Sequence, residues 1–144
     1  MTPSMTSAEP TLLKDIGDNY LELVGQMPTR LTDRLRLAQA TGREAAIHAI
    51  EQMREELLHR NPLDRRTQQL VHFGMLVAVR APDAARLHAA GAIKAGATLS
   101  DLQGVAETAA VVAGMPGFSL AAEVIAEVAL AGGAPEQRAD HHTG

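Results

Sequence analysis

His88 sits in the stretch RLHAAGAI, followed by Ala89, Ala90 and Gly91. Small neighbours leave volume around an imidazole, and an imidazole can give or take a proton near neutral pH. The bland alternative is a core or interface histidine bonded to a backbone carbonyl. Gln69 and His72 lie three residues apart upstream, a spacing that puts both on one helix face. Gln69 offers an acceptor and two donors, so it can orient or polarise a carbonyl without changing charge. His72 supplies a second titrating ring if its face meets the helix carrying His88. Arg80 falls at a helix end, where a cation suits the helix dipole and can also hold a substrate carboxylate. Glu107 lies in the apolar context VAETAAVVAG. A carboxylate there is either solvated or paired with a histidine or arginine, because an unpaired one is costly to bury. Phe73 and Met115 are candidates for a pocket wall. The expected catalytic set is His88, Gln69 and His72, and the expected substrate contacts are Arg80, Glu107, Phe73 and Met115. No metal is expected, although a metal enzyme using His72 and His88 is an alternative reading.

The elements that must position these residues run from Leu63 to Leu130. Asp64 through Val79 repeats apolar residues at helical spacing, with Leu70, Phe73 and Val77 on the stripe. Asp64 suits an N-cap. A break follows at Arg80-Ala81-Pro82, and the next helix carries His88 near its middle. Gly96 can close it with a positive φ. Thr98 and Asp101 then form a capping box with Asp in the usual Glu place. Gly114-Met115-Pro116-Gly117 marks another stop, before a last apolar segment from Phe118 to Leu130.

Upstream, one helix starts near Pro10 with Leu12, Leu13, Ile16, Tyr20, Leu21 and Val24 as its stripe. A shorter one carries Leu31, Leu35 and Leu37 and ends near Gly42. A third spans Arg43 to Arg60 with Ala46, Ile50, Met53 and Leu57 on one face. His48 and His59 lie on it about 16 Å apart along the axis, too far to share a ligand. Residues 1–9 are expected to be disordered, 10–131 to form a single helical domain, and 132–144 to be a flexible tail that includes His141 and His142.

The chain has 144 residues and aromatics are only 2% of them, so the core must be built from Ala, Val, Leu, Ile and Met. Such side chains allow close helix packing but bury little area each, which favours an oligomer. The net charge is −4 with no dense basic run, which argues against a nucleic-acid partner. No cysteine is present, so thiolate catalysis, disulfides and thiolate metal sites are excluded. The opening MTPSMTSAEP lacks the features of a signal peptide, and no unbroken apolar stretch approaches the roughly 20 residues of a membrane span. The expectation is a soluble, cytoplasmic protein without a membrane partner.

The strings LDRRTQQLV, RLHAAGAIKAGATLSDLQGV and ETAAVVAGMPGFSLA, between Leu63 and Ala121, resemble the carboxymuconolactone decarboxylase family, which includes the alkyl hydroperoxidase D-like proteins. The resemblance implies an all-α helical bundle of the alkyl hydroperoxidase D-like type, with six or seven helices, assembled as a trimer or hexamer. Hydroperoxidase members carry a Glu, a Cys-x-x-Cys pair and a His. Here these positions fall on Gln69, Ala81 with Ala84, and His88. A thiol relay needs an attacking and a resolving thiol, and alanine is neither. Decarboxylase members resemble this chain more in dispensing with cysteine, and they use no cofactor. Their His-x-Arg reads His88-Ala89-Ala90 here, so the second cation is absent and turnover of muconolactone itself is not implied. The resemblance therefore implies a cofactor-independent lyase, decarboxylase-like, or an isomerase. Its substrate would be a small oxygenated acid, a lactone or a polyketide-like molecule. A non-catalytic small-molecule binding or scaffold protein of the same fold is the alternative.

Overall fold

The computed structural model describes residues 8–26 and 28–130. The expected tail, with His141 and His142, lies outside the described residues, as do residues 1–7 of the expected disordered start. Ala8 and Glu9 are already helical. Among the described residues the protein is all-α: six α-helices, two of them extended by a five-residue π-helical turn, and no strand. These elements fall into two compact units, one ending at Pro62 and one beginning at Leu63.

The first unit contains α1 (Ala8–Val24), α2 (Thr29–Thr41), α3 (Glu44–Arg54) and a π-helical turn, Glu55–His59. Ile16, Tyr20, Leu23 and Val24 of α1 are buried, as are Leu31, Leu35 and Ala38 of α2. Leu21 and Leu37, expected on the inner stripes, are exposed. Leu37 lies off the face that Leu31, Leu35 and Ala38 define at four- and three-residue steps, so it points away from that core. Gly42 closes α2 with φ 68°, as its position predicts. The stripe expected on the third helix is helical but uncovered: Ile50, Met53 and Leu57 are all exposed. The Arg54 guanidinium sits 4.4 Å from the centre of the Tyr20 ring, a cation–π contact that gives this aromatic a polar cover.

The second unit contains α4 (Arg65–Ala78), α5 (Pro82–Lys94), α6 (Leu99–Ile125) and a final π-helical turn, Ala126–Leu130. Its core is largely alanine: Ala85, Ala89, Ala92, Ala97, Ala106, Ala109, Ala121 and Ala129 surround Phe73, Val77, Leu102, Val124 and Ile125. Alanine faces let α5 approach α4 closely, which is what brings polar side chains on the two helices into contact. The caps are those expected. Asp64 accepts the Thr67 amide hydrogen, and Thr98 and Asp101 form the reciprocal box. Gly96 closes α5 with φ 99°. Pro82 takes a first-turn position of α5, where its missing N–H costs nothing.

α6 is one helical run only in outline. Gly114 departs from helical geometry (φ 72°, ψ −170°) and Pro116 follows it, so the run is two helices joined at a kink. Leu99–Leu130 is nevertheless long and apolar enough by composition to cross a membrane, with mean hydropathy 1.6 over its most apolar window. This differs from the reading based on unbroken apolar residues. Asp101, Gln103, Glu107, Glu123 and Glu127 interrupt the string, so it is apolar on average without being unbroken. Its inner face is committed to the core through Leu102, Ala106 and Ala109, while Val111, Val112 and Met115 are strongly exposed.

Candidate functional site

Asp64 sets the start of α4, and its carboxyl is held below the usual range by hydrogen bonds from Thr67, side chain first and then backbone. Five and eight residues on, Gln69 and His72 project on the side of α4 that faces α5. His88 lies midway along α5, between the fully buried Ala85 and Ala92. The three side chains meet. His88 Nδ1 is 2.7 Å from Gln69 Oε1 and 3.1 Å from His72 Nδ1. The two rings stand edge to face, with centroids 4.5 Å apart and planes at 88°. Gln69 is fully buried, and both imidazoles are half-buried.

This arrangement has a chemical consequence. An amide oxygen only accepts, so with Oε1 facing the ring the 2.7 Å contact takes its hydrogen from His88 Nδ1. The neutral ring then carries its lone pair on Nε2, the form of histidine that acts as a base. His72 Nδ1 stands beside the same hydrogen as a second acceptor. Gln69 Nε2 is buried with no hydrogen-bond partner among the described residues. Gln69 therefore reaches the imidazole of His88 rather than an exposed cavity surface.

The other expected residues are not drawn to this cluster by any contact seen. Phe73 is fully buried and fills the core of its unit. Glu107 is exposed and accepts a hydrogen bond from Gln103 Nε2 at 3.0 Å. Met115 is 65% exposed beside the Gly114 kink. Arg80 is exposed in the α4–α5 joint, where its φ of 57° makes it the one non-glycine residue with positive φ among the described residues. Two residues before His88 in the chain, Arg86 bonds Glu127 through Nε and Nη2 and Asp83 through Nη1. The guanidinium holds the Glu127 carboxyl below its usual range. This clamp fastens the terminal π-helical turn to α5.

A second feature was not anticipated. Between α4 and α6 lies a cavity of about 650 Å³ walled by Leu70, Val71, Gly74, Met75, Val105 and Val112, with Thr67 and Thr108 among its few polar groups. It opens on the face of α4 opposite Gln69 and His72, so the histidine cluster is not its lining. The signal for it in the sequence is the small-residue spacing Gly74/Ala78 on α4 against Gly104/Thr108 on α6, which keeps the two backbones free of bulk.

No curated protein matches the sequence. A crystal structure of a candidate carboxymuconolactone decarboxylase from Burkholderia xenovorans LB400 superimposes with a TM-score of 0.71 at 19% identity, covering 94% of this chain and 99% of that one. The shared fold is thus established over both units' helices. The sequence profile of the carboxymuconolactone decarboxylase family matches residues 44–127, more than half of the chain and the whole stretch carrying Gln69, His72 and His88. With α3 to the Arg86–Glu127 clamp inside that match, the chain belongs to the carboxymuconolactone decarboxylase family.

Proposed function

We propose that the protein is a cofactor-independent lyase, decarboxylase-like, or an isomerase, acting on a small oxygenated acid, lactone or polyketide-like molecule. The observation that carries this reading is the Gln69 Oε1–His88 Nδ1 contact of 2.7 Å. A buried acceptor holds one tautomer of a half-buried histidine, and so presents an oriented base at Nε2. Loss of carbon dioxide next to a carbonyl leaves an enolate that must receive a proton on carbon. In decarboxylation His88 first takes a proton from solvent on Nε2 and then gives it to the enolate carbon. In isomerisation neutral Nε2 removes a proton from one carbon and returns it to another, and His72 shares the hydrogen on the Nδ1 side of the ring. Arg80, at the joint into α5, supplies the cation for a substrate carboxylate.

The test is His88→Gln, compared with the wild-type chain on a panel of lactones and β-keto acids. The expected result is an unchanged oligomer and a rate lower by about 10²–10⁴, the usual worth of a general acid–base group. Full turnover by the variant on a confirmed substrate sinks the reading.

The assembly proposed is a homo-oligomer, a trimer or hexamer. It is supported by the exposed apolar side chains Val71, Met75, Val111, Val112 and Met115 on one unit, which a partner surface would cover. A second functional reading, a small-molecule binding protein without catalysis, draws on the apolar cavity between α4 and α6, which lies away from the histidines. A ligand seated there with no contact to His88 favours it.

A further inference from the structure

His88 Nδ1 is over-committed. It has one in-plane position, occupied by either a hydrogen or a lone pair, yet two polar atoms stand at hydrogen-bond distance from it: Gln69 Oε1 at 2.7 Å and His72 Nδ1 at 3.1 Å. With the hydrogen on His88, one N–H must be divided between two acceptors. With the hydrogen on His72 Nδ1, the His88 lone pair confronts the lone pairs of the Gln69 oxygen. Turning the Gln69 amide over only moves the difficulty. Nε2 then competes with His72 for the same lone pair, and Oε1 becomes the amide atom left without a partner in a fully buried side chain. No placement of protons gives each of these three atoms a partner of its own. A cation among them accepts a lone pair from each, and leaves Gln69 Nε2 as it stands.

We infer that His72 Nδ1, His88 Nδ1 and Gln69 Oε1 form a binding site for one late first-row divalent metal ion of the Ni(II) or Cu(II) class. Imidazole nitrogen with neutral oxygen is the donor set these ions take in tetragonal geometry. Bonds of about 2.0–2.1 Å at right angles place neighbouring donor atoms about 2.9 Å apart, and a tetrahedral angle about 3.3–3.4 Å. The observed 3.1 and 2.7 Å average to the right-angle spacing. Gln69 and His72 come from one face of α4 and His88 from α5, so the site is built across a packed helix pair. Among the described residues no group of three His, Cys, Asp or Glu forms a metal site; the third donor here is an amide oxygen. All three donors are neutral, so the bound ion keeps its full charge and the affinity is moderate.

Metal binding regulates the base described above, and this half of the inference rests on the proposed function. A metal on His88 Nδ1 forces the ring hydrogen to Nε2. No net proton leaves a neutral pair of histidines, but the lone pair moves from Nε2 to the metal. The metal-bound form has no base at Nε2.

The experiment uses the 144-residue chain with His141→Gln and His142→Gln, so that these two adjacent histidines do not compete. Titration with Cu(II) alone, followed by electron paramagnetic resonance, is expected to show one ion per chain with imidazole nitrogen coupling. Affinity is expected to fall by more than about tenfold in His72→Gln and in His88→Gln, since losing a donor exceeds the cost of losing an outer partner. Undiminished binding in both variants, or no saturable binding up to about millimolar ion, overturns the site. If either variant fails to fold, Ni(II) added to the His141→Gln, His142→Gln chain gives the answer by NMR. The ring signals of His72 and His88 are expected to broaden before those of His48 and His59, and the reverse order overturns the site. Turnover separates the two readings. Binding without a slower rate overturns the regulatory half and removes His88 Nε2 as the base. Loss of activity in His88→Gln without any metal binding leaves the proton-transfer reading standing and ends the metal site.

Discussion

Arg66 Nη2 lies 2.7 Å from Asp101 Oδ2, and the same oxygen accepts the Thr98 amide hydrogen at 2.9 Å. One carboxylate therefore caps α6 and ties its first turn to the first turn of α4, beside the mouth of the apolar cavity. The Thr98 backbone, and then Arg66, hold its carboxyl below the ordinary 3.8. A folded-state value below the unfolded one means that the unfolded chain binds more protons. The stabilisation is complete above about pH 4 and is lost as pH falls through the lower, folded-state value. Asp101→Ala is expected to lower the melting temperature at neutral pH, with the difference from wild type closing in acid. Melts followed by circular dichroism from about pH 7 to about pH 2 check this. A gap that persists unchanged in acid assigns the effect to packing instead.

Two glycines of α6 predict opposite signs. A Cβ on Gly117 would stand 2.7 Å from the Ala113 Cβ, inside contact distance. Gly117→Ala is expected to cost about 1–3 kcal/mol, as overpacking does. A Cβ on Gly104 meets nothing within 4 Å. Gly104→Ala is expected to gain about 0.5–1 kcal/mol, the usual benefit of alanine over glycine inside a helix. Urea unfolding of both variants measures the contrast, and equal signs would show that the two halves of α6 pack differently.

Arg80 carries a conflict between backbone and side chain. Its amide bonds the Val77 carbonyl at 3.2 Å and the next amide, of Ala81, bonds Leu76 at 2.9 Å, a helix-closing pattern that glycine usually serves. A side chain at φ 57° costs about 1–2 kcal/mol. Arg80→Gly is expected to stabilise the fold by up to about 1 kcal/mol, part of the relief being offset by greater freedom in the unfolded chain. If Arg80 holds the substrate carboxylate, KM rises in the same variant while kcat holds. Unchanged KM would leave Arg80 with only its place in the joint.

Gln69 offers a further separation of stability from function. Its Nε2 is buried without a partner among the described residues, and leucine has a similar volume. Gln69→Leu removes that orphan along with the acceptor for His88, so stability is expected to hold or rise. The rate is expected to fall by about 10–100-fold, as for lost orienting partners elsewhere. Steady-state kinetics beside a denaturation curve tests both halves; a rate that holds would detach Gln69 from the chemistry.

The helix ends were legible because capping is local. Asp64, Gly96 and the Thr98–Asp101 pair act through residues within four positions of themselves, and a sequence displays such neighbours directly. The shared face of Gln69 and His72 was legible for the same reason. Their meeting with His88 depends on how closely α5 lies on α4, and that distance is set by Ala85, Ala89 and Ala92 together. No single residue announces it. The full burial of Gln69 and its contact with His88 were not legible, because burial is a property of packing. Leu21, Leu37 and the α3 stripe show the same limit. Periodicity identifies an apolar face but does not say whether anything covers it.

The kink in α6 has a further consequence for how the helix comes apart. Pro116 has no amide hydrogen, so the Val112 carbonyl cannot receive the bond a continuous helix would supply from four residues on. Gly114, outside helical geometry, breaks the ladder two residues earlier. Hydrogen exchange along α6 should therefore show two protected blocks, one centred on Leu102–Ala109 and one on Ala121–Ile125, with fast exchange at Gly114 and Met115 between them. The two blocks can open at different rates, since no continuous backbone ladder carries fraying from one into the other.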